Sequence, residues 1–414
     1  MRIGIFTDTY PPFINGVSTS INMLENSLRK LGHKVFIITV NPTDMKYRLE
    51  SDGKVLRIPG IPVGIYDYRL TSFYPIKAVN MIKNMNLDII HSQTEFGIGT
   101  FARVIGRQFD IPIVHTYHTM WEDYTHYITK GHFDASSKKI VEYITKFYCD
   151  KTIQELIVPT KKTYDLFKEK YNYDRNVHII PTGIEIERFY RENLDLNKLN
   201  KLKKDLNLNS NDIVILFVGR IASEKSIDFL IENHEYLLKH NKNCKLLIVG
   251  DGPDLEEYKT MSKKMGIQDS IIFTGKVPWS DIPYYYNVSS IFVTASHTET
   301  QGLTVVEAMA SMIPVVALND ESFNTVVIDE LTGYLFNTKE EYLEKIKKII
   351  DDKKLRERMG SQARINSDAF SSNYFGQRVL KVYRLALKDR PLKKNRRKFT
   401  SRLKNTIKRG FYGK

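Results

Sequence analysis

Short apolar runs alternate with amphipathic segments along most of the chain. Twelve of these runs have the length of a buried strand: RIGIFTD, HKVFIITV, LDIIHSQ, PIVHTYH, ELIVPT, NVHIIPTG, DIVILFVGR, CKLLIVGDGP, SIIFTGKV, SIFVTAS, PVVAL and GYLF. Between the first two, Val17, Ile21, Leu24, Leu28 and Leu31 have a spacing that puts them on one face of a helix. Strands that alternate with helices predict parallel sheets covered by helices.

The alternation is interrupted near residues 184–200 by a charged, polar and linker-like stretch. A chain of 414 residues is also too long for one ordinary core. We therefore predict an α/β protein with two doubly wound domains, residues 1–185 and 200–370. Residues 371–387 are expected to form a helix that packs back on the first domain. Ligands of such sheets bind at the carboxyl ends of the strands, so the cleft between the domains is the expected active site.

The composition, 42% hydrophobic and 27% charged, is that of a folded globular protein. No apolar run approaches the roughly 20 residues that span a bilayer, and MRIGIFTDTY has the form of a first strand rather than a signal peptide. Cys149 and Cys244 predict neither a disulfide framework nor a cysteine metal site, which fits a reducing cytoplasm. The sequence has no GxGxxG after the first strand and no GxxxxGK[ST], which argues against a nicotinamide dehydrogenase and a P-loop NTPase.

The formal charge of +14 is concentrated at the C-terminal end. Residues 388–414 hold twelve Lys or Arg and one Asp, which leaves +3 for the other 387 residues. Phe399, Leu403, Ile407 and Phe411 recur every four residues, so a helix here would carry an apolar stripe beside a cationic face. This pattern is typical of a helix on an anionic membrane. A nucleic-acid-binding arm and a disordered, solubilising end are the alternatives, and the apolar stripe favours the membrane.

Two stretches combine a strand end with groups that can hold a phosphate. In FINGVSTS, Asn15 and Gly16 precede the first helix, whose N–H groups and dipole can approach an anion; the alternative is a plain capping turn. In VGRIASEKS, Arg220 and Lys225 lie five residues apart in a loop and suit a diphosphate. The alternative is a solvated loop with a surface pair between Glu224 and Lys225.

The stretch HTYHTMWEDYTHYI, residues 115–128, places three His after a strand end. It lacks the His-Glu-x-x-His arrangement, and His115 and His118 need not share a face, so we predict no metal site here. The functional interpretation that we favour is that His118 forms a hydrogen bond with a sugar hydroxyl. The alternative is an aromatic plug that includes Trp121 and Tyr124.

In ETQGLTVVE, Glu299 and Glu307 flank a glycine turn at the start of a helix. The N–H groups around Gly302, Leu303 and Thr304 can point at a phosphate. Because the turn separates the two acids, we expect them to bind hydroxyls on different parts of one ligand. The alternatives are a helix N-terminal charge for Glu299 and a surface acid for Glu307, although the apolar neighbours of Glu307 make an unpartnered charge costly.

Taken together, these stretches resemble the retaining nucleotide-sugar glycosyltransferases of family four, over about residues 1–385. The most specific mark is Glu299-x7-Glu307 in ETQGLTVVEAMA, supported by INGV, VGRIASEKS, IVGDGP and IIPTGIEIERF. The resemblance implies the GT-B fold, in which two Rossmann-like domains face each other across a cleft. QTEFGIG, HTYHTMWEDYTHYI and TETQGLT are also similar to the bacterial diacylglycerol α-glucosyltransferases. The basic tail departs from what the family leads one to expect.

The resemblance further implies how the donor is bound. Arg220 and Lys225 would hold the UDP diphosphate, helped by the N–H groups of residues 302–304 and, from the opposite domain, by Asn15 and Gly16. No Asp-x-Asp metal motif is found in a suitable place, so the two cations would substitute for a bound metal. We therefore expect no tightly bound cofactor and no protein metal site, and we leave open a stimulatory divalent cation.

The other implied roles concern the sugar, the ribose and the base. His118 would contact the donor sugar near its C6 hydroxyl, and Glu299 would bind other hydroxyls of that sugar. Glu307 would hold the ribose hydroxyls, and the backbone near Val277 would meet the uracil. The anomeric configuration would be retained, and no carboxylate would act as a nucleophile, unlike in retaining glycosidases.

The implied partners are UDP-glucose, diacylglycerol and an anionic membrane surface, which residues 388–414 would contact from the cytoplasmic side. The expected location is therefore peripheral, on the inner face of the cell membrane. A family-four enzyme that acts on another lipid or on a polysaccharide is the first alternative. A nucleic-acid-binding protein built on two Rossmann-like domains is the second, and the nearly neutral body of the chain argues against it.

Overall fold

The computed structural model describes residues 1–13, 15–50, 52–62, 69–72, 75–95, 97–118, 152–297, 299 and 301–388. The predicted aromatic plug with Trp121 and Tyr124 and the basic tail after Lys388 lie outside the described residues.

An eight-stranded sheet and a two-stranded hairpin form the N-terminal half. The strands are β1 (Arg2–Phe6), β2 (Lys34–Val40), β3 (Arg48–Leu49), β4 (Val55–Ile58), β5 (Gly60–Pro62), β6 (Arg69–Thr71), β7 (Ile89–Ser92), β8 (Ile113–Thr116), β9 (Glu155–Val158) and β10 (Val177–Ile179). The large sheet has the order β10-β9-β8-β7-β1-β2-β4-β3, and only β3 runs antiparallel to its neighbour. Strands β5 and β6 form the antiparallel hairpin.

A six-stranded sheet forms the C-terminal half. Its strands are β11 (Ile213–Val218), β12 (Cys244–Val249), β13 (Ile271–Phe273), β14 (Ile291–Thr294), β15 (Val315–Leu318) and β16 (Gly333–Phe336). All pairs are parallel, in the order β13-β12-β11-β14-β15-β16. This is the strand order of a doubly wound nucleotide-binding sheet, whose ligand site lies beyond the carboxyl ends of the strands.

The described α-helices connect and cover these strands. They are α1 (Gly16–Lys30), α2 (Ile76–Asn84), α3 (Gly97–Phe109), α4 (Lys161–Asp165), α5 (Leu196–Asp205), α6 (Ile227–His240), α7 (Leu255–Lys264), α8 (Ile282–Asn287), α9 (Leu303–Ala310), α10 (Glu321–Asn324), α11 (Lys339–Asp351), α12 (Lys353–Ser367) and α13 (Ser372–Lys388). One π-helical turn, Leu166–Lys170, follows α4. The 3-10 turns are Ile186–Phe189, Arg191–Asn193, Ser223–Lys225, Gln268–Ser270 and Asp368–Phe370. Within the described part of the chain, no helix is long and apolar enough to cross a membrane.

All twelve predicted strands are confirmed, and the α/β class with them. The predicted face of the first helix is confirmed as well, because Ile21, Leu24 and Leu28 are fully buried. Strands β3 to β6 were not predicted. They are only two to four residues long, too short for a hydrophobic period to be recognisable.

The expectation of a linker near residue 184 is wrong for residues 184–189. Ile184, Ile186 and Phe189 are buried in the core of the C-terminal half. The charged residues between them made the stretch look like a linker, but its apolar side chains pack inward.

Helix α13 lies against the N-terminal half although it follows the C-terminal sheet in sequence. Phe375, Val379 and Tyr383 share a buried cluster with Ile3 and Ile5 of β1. The chain therefore passes between the two halves a second time just before α13, where Ser372 N donates to Ile184 O over 2.8 Å.

Candidate active site

The predicted site residues follow the carboxyl ends of strands in both sheets. In the N-terminal half, Asn15 and Gly16 come after β1 and His118 after β8. In the C-terminal half, the residues follow three strands: Arg220 and Lys225 after β11, Val277 after β13, and Glu299, Gly302, Leu303, Thr304 and Glu307 after β14. The site is thus built from two sheet edges, which we call the N-terminal edge and the C-terminal edge.

An ion pair joins two loops of the C-terminal edge. Lys225 Nζ donates to Glu299 Oε1 over 2.6 Å, and the two side chains are 17% and 28% exposed. Strands β11 and β14 are neighbours in the sheet, which brings together residues 74 positions apart in sequence. Ser322 Oγ also donates to the backbone oxygen of Glu299. The partly buried pair places a cation and a carboxylate side by side at the carboxyl ends of β11 and β14.

Arg220 is exposed at the end of β11, on a loop that the neighbouring loop holds in place. Ile221 N donates to Asp251 O over 3.0 Å. Gly250 has a φ of +144°, and a Cβ there would lie 1.8 Å from the oxygen of Gly219. This close approach requires glycine. The guanidinium therefore projects from a rigid loop toward solvent, where an anion can reach it.

A left-handed glycine sets the direction of the turn before α9. Gly302 has φ +60°, and a Cβ at this position would lie 2.8 Å from the ring of Phe323. Leu303 and Thr304 begin the helix. The N–H groups of a first helical turn have no acceptor within their own helix, so they are available to an anion.

A side chain that the sequence analysis did not single out links this turn to the N-terminal half. Gln301 is buried, its Oε1 accepts from Thr182 N over 2.8 Å, and its Nε2 donates to Thr182 O over 2.8 Å. The hydroxyl of Thr182 in turn lies 3.1 Å from that of Ser20 in α1. Gln301 stands inside the motif ETQGL, but only the fold shows what it contacts.

Glu307 has the partner that its apolar surroundings require. Tyr286 OH donates to Glu307 Oε2 over 2.7 Å. Burial raises the pKa of Glu307 to about 7, against the opposing effects of the Tyr286 hydrogen bond and of the Arg188 charge. Glu307 is thus not a surface acid, and its ionisation changes near neutral pH.

Arg188, whose charge lowers the pKa of Glu307, contacts the loop after β13. Its guanidinium carbon lies 3.1 Å from the centre of the Trp279 ring, and its Nη2 donates to Trp279 O over 3.3 Å. Val277, the predicted base contact, precedes this tryptophan by two residues and is half-buried. Neither Tyr286 nor Arg188 was identified from the sequence. No motif indicates that Tyr286 bonds to Glu307 or that the charge of Arg188 affects it.

At the N-terminal edge, Asn15 and Gly16 form the start of α1. Asn15 Oδ1 accepts from Ser18 N over 2.8 Å, and Asn15 Nδ2 donates to Thr9 Oγ1 over 2.8 Å. A Cβ added to Gly16 would meet no atom of the described residues within 4 Å. The capping turn is therefore present, and no described atom occupies the space where a Gly16 side chain would begin.

His118 is half-buried at the same edge. Its Nε2 lies 2.6 Å from Gln93 Oε1. Burial and the nearby His115 lower the pKa of His118 to about 3, so the imidazole is neutral at physiological pH. His115 itself lies 3.5 Å from Glu95. The described residues contain no group of three or more His, Cys, Asp or Glu that could hold a metal ion.

The two edges can therefore do different things chemically. The C-terminal edge offers two cations and a helix turn for an anion, with two carboxylates for hydroxyl groups. The N-terminal edge offers a neutral imidazole and the start of α1. This combination suits a ligand that carries both phosphates and sugars.

Two family models match the chain, one for each half. The first, Glycosyltransferase Family 4, matches residues 14–188. The second, Glycosyl transferases group 1, matches residues 199–366.

Two relatives have the same name, alpha-monoglucosyldiacylglycerol synthase. The protein from Streptococcus pneumoniae (strain ATCC BAA-255 / R6) is 38% identical over 337 residues, which are 81% of this chain and 75% of the relative. The protein from Acholeplasma laidlawii is 33% identical over 404 residues, which are 96% of this chain and 100% of the relative.

Solved structures with the same fold are more distant in sequence. A glycosyltransferase from Rickettsia africae is 20% identical with a TM-score of 0.72, and the match covers 94% of this chain and 98% of the other. Alr3699/HepE of Anabaena, solved with UDP and glucose, is 17% identical with a TM-score of 0.68, and the match covers 92% and 98%. The predicted GT-B fold and the family resemblance are confirmed. The chain belongs to the family-four glycosyltransferases and is a hexosyltransferase with two Rossmann-like halves.

Proposed function

We propose that the protein transfers glucose from UDP-glucose to the 3-hydroxyl of 1,2-diacylglycerol, with retention of configuration, to give α-monoglucosyldiacylglycerol. The observation that carries the proposal is the 33% identity to a relative with that synthase name, over 100% of its length. The charged C-terminal edge supports it, because a UDP-sugar presents the groups that this edge can bind.

The diphosphate is proposed to lie between Arg220, Lys225 and the turn at residues 302–304. An ammonium group has three N–H donors, so Lys225 can keep its bond to Glu299 and still bind a phosphate oxygen. The two cations and the turn then stabilise the negative charge that develops on the departing UDP. Asn15 and Gly16 are proposed to approach the same phosphates from the N-terminal edge.

The rest of the donor is proposed to extend along the C-terminal edge. Glu307 accepts hydrogen bonds from the two ribose hydroxyls, and Tyr286 holds its carboxylate in place. The uracil meets the backbone near Val277, next to the Arg188 and Trp279 pair. Glu299 accepts hydrogen bonds from hydroxyls of the glucose.

In the chemical step, the bond between the anomeric carbon and the β-phosphate oxygen breaks. The diacylglycerol oxygen attacks the same face of the oxocarbenium-like sugar, and its proton passes to the departing phosphate oxygen. The electron pair of the broken bond remains on UDP, where Arg220 and Lys225 face it. His118 contacts the sugar near its C6 hydroxyl, and Glu299 holds other hydroxyls, so both position the ring.

The acceptor is proposed to reach the site from the inner surface of the cell membrane. Diacylglycerol resides in a bilayer, so the enzyme must work at its surface. Residues 388–414 carry the cationic face and the apolar stripe that suit anionic lipid. Nucleic acid is not proposed as a partner.

The test is incubation of the full-length protein with radiolabelled UDP-glucose and anionic vesicles that contain diacylglycerol. The assay is run with Mg²⁺ and with EDTA, because a divalent cation can bind the diphosphate directly. We expect a labelled lipid whose mass is that of diacylglycerol plus one hexose. A panel of other sugar nucleotides and acceptors runs in parallel, and transfer only to another lipid or to a polysaccharide would overturn the proposed acceptor.

A further inference from the structure

A buried hydrogen-bond network extends from the C-terminal helix toward His118. Tyr383 OH in α13 lies 2.7 Å from His91 Nδ1, and His91 Nε2 lies 2.7 Å from Thr116 Oγ1. Gln93 follows His91 by two residues and is buried. Both ring nitrogens of His91 thus have hydroxyl partners, so the ring is held from two sides.

The His91 ring sets the orientation of the Gln93 amide. Gln93 Nε2 lies 3.1 and 3.2 Å from the two ring nitrogens of His91. The two ring nitrogens of His91 already have hydroxyl partners near the ring plane. The Gln93 amide nitrogen, which is almost equally close to both, therefore lies against the face of the ring. An N–H group is attracted by a π face, whereas a carbonyl oxygen is repelled. The Oε1 atom therefore points away from His91, and it lies 2.6 Å from His118 Nε2.

An amide oxygen only accepts hydrogen bonds, so its partner on His118 must carry a proton. We propose that Gln93 is a positioning residue that holds His118 as the neutral imidazole with its proton on Nε2, so that Nδ1 can accept a hydrogen bond from a hydroxyl of the donor sugar. This inference rests on the proposed function, in which His118 contacts that sugar.

The charged surroundings of His118 agree with a neutral ring. Among the described residues, the titratable groups of this region include His91 on β7, Glu95 after it, His115 on β8 and Tyr383 on α13. Asp8, after β1, accepts two hydrogen bonds: Oδ2 from Thr94 Oγ1 over 2.6 Å and Oδ1 from Ile98 N over 3.0 Å. Glu95 lies next to His115, at 3.5 Å, and burial lowers the pKa of His91 far below its usual value.

The first test of the proposed role of Gln93 is an NMR measurement that does not depend on catalysis. Long-range ¹H–¹⁵N NMR of the ¹⁵N-histidine-labelled full-length protein reports which ring nitrogen of His118 carries the proton, and the His118→Gln variant assigns the signals. We expect the Nε2–H form in the wild type and a mixture of tautomers in Gln93→Leu. An Nδ1–H form in the wild type, or unchanged His118 signals in Gln93→Leu, overturns the proposal even if glucosyl transfer is confirmed.

Activity supplies the second measurement. In Gln93→Glu, a carboxylate next to Nε2 stabilises the imidazolium, so the pKa of His118 rises and Nδ1 becomes a donor. The acid limb of kcat against pH is expected to move upward by on the order of one to three pH units. Gln93→Leu is expected to lower kcat about 10- to 100-fold, with the affinity for UDP unchanged because UDP lacks the transferred glucose that His118 is proposed to contact.

The matched control is Gln268→Glu, which makes the same charge change at an exposed position of the C-terminal half. An acid limb in Gln93→Glu that coincides with that of Gln268→Glu contradicts the inference. If the wild type transfers no sugar to any acceptor, the proposed function fails, whereas the NMR result still decides the role of Gln93.

Discussion

The two sheet edges that form the candidate site differ in how they hold their polar groups. At the C-terminal edge, Lys225 pairs with Glu299, and desolvation raises the pKa of the half-buried Glu307 to about 7. At the N-terminal edge, His118 is kept neutral by burial, and its described partner is an uncharged amide. The residues assigned to donor binding thus include ionic side chains at the C-terminal edge and a neutral imidazole at the N-terminal edge.

This difference fits two separate tasks in the proposed reaction, which are stabilisation of the departing UDP and binding of the transferred sugar. The departing UDP develops negative charge, which cations and helix N–H groups stabilise. The transferred sugar is neutral in the ground state and becomes positive as the bond breaks. A neutral imidazole adds no positive charge next to it, whereas an imidazolium would oppose the developing charge.

The largest expected effect comes from breaking the ion pair of the C-terminal edge. We expect Lys225→Met to lower kcat about 10²- to 10³-fold, because it removes a cation from the proposed leaving group. The measurement is steady-state transfer to diacylglycerol in vesicles. Lys239→Met is the matched control, since Lys239 makes an equally short pair with Glu235 but is 67% exposed. Equal activity of both variants would show that Lys225 does not serve the reaction.

The second prediction concerns the turn at Gly302. A side chain there must adopt φ +60° and contact Phe323, so Gly302→Ala should displace the N–H groups of the turn. We expect the affinity for UDP to fall about tenfold or more, with a loss of about 1–3 kcal/mol in the free energy of unfolding. Calorimetric titration and denaturant melts measure the two quantities.

Gly266 offers the control for this substitution. Its φ is +70°, and a Cβ there would meet no described atom within 4 Å. Gly266→Ala should therefore cost stability through backbone strain while UDP affinity stays at the wild-type value. A normal UDP affinity in Gly302→Ala would mean that the turn does not bind the phosphates.

The third prediction is a pH dependence of donor binding. In the proposed donor complex, the ionised carboxylate of Glu307 accepts hydrogen bonds from the ribose hydroxyls, and the pKa of Glu307 is about 7. Donor affinity should therefore decrease as the pH falls through 7. Tyr286→Phe removes a hydrogen bond that favours the charged form, so the pKa of Glu307 should rise and the loss of affinity should begin at a higher pH.

Tyr342→Phe is the control for the third prediction. Tyr342 is buried in a different core cluster, so its hydroxyl should not affect the pH dependence. Identical pH profiles of UDP binding for the wild type and Tyr286→Phe would contradict the assigned role of Glu307.

The smallest effect on the two edges is expected from the tail. Deletion of residues 391–414 should weaken binding to anionic vesicles and leave UDP binding unchanged, because it removes none of the residues that are proposed to bind the donor. Vesicle flotation at two salt concentrations measures the first quantity, since electrostatic membrane binding weakens with salt. Unchanged flotation after the deletion would remove the tail from the membrane proposal.

Twelve strands and the site-bearing loops that follow them were predictable from the sequence, whereas the side-chain partners were not. The continuous apolar run at residues 213–218 has the length and the β-branched composition of a buried strand, so the sequence alone indicates it. The contact between Lys225 and Glu299 joins residues 74 positions apart, so only the sheet order brings it about. The contact between Gln301 and Thr182 spans 119 positions.

Local charge also misled the sequence analysis in one place. Residues 184–189 contain three charged side chains, which hid the fact that Ile184, Ile186 and Phe189 point into a core. The raised pKa of Glu307 could not be predicted from the sequence either. It depends on how closely the protein surrounds the carboxylate and on Tyr286 from another helix. Predictions from the hydrophobic pattern succeed where burial follows a regular pattern. They fail where a single tertiary contact determines the burial or the pKa of a side chain.

We propose that the groups of the C-terminal edge promote retaining transfer of glucose from UDP-glucose to diacylglycerol. The most direct measurement is NMR of the anomeric proton of the glycolipid formed by the wild type in diacylglycerol vesicles, with Glu299→Gln assayed in parallel. We expect an α-linked monoglucosyldiacylglycerol from the wild type and a yield at least about 100-fold lower from the variant. A β-linked product, no glycolipid, or an equal yield from Glu299→Gln would contradict it.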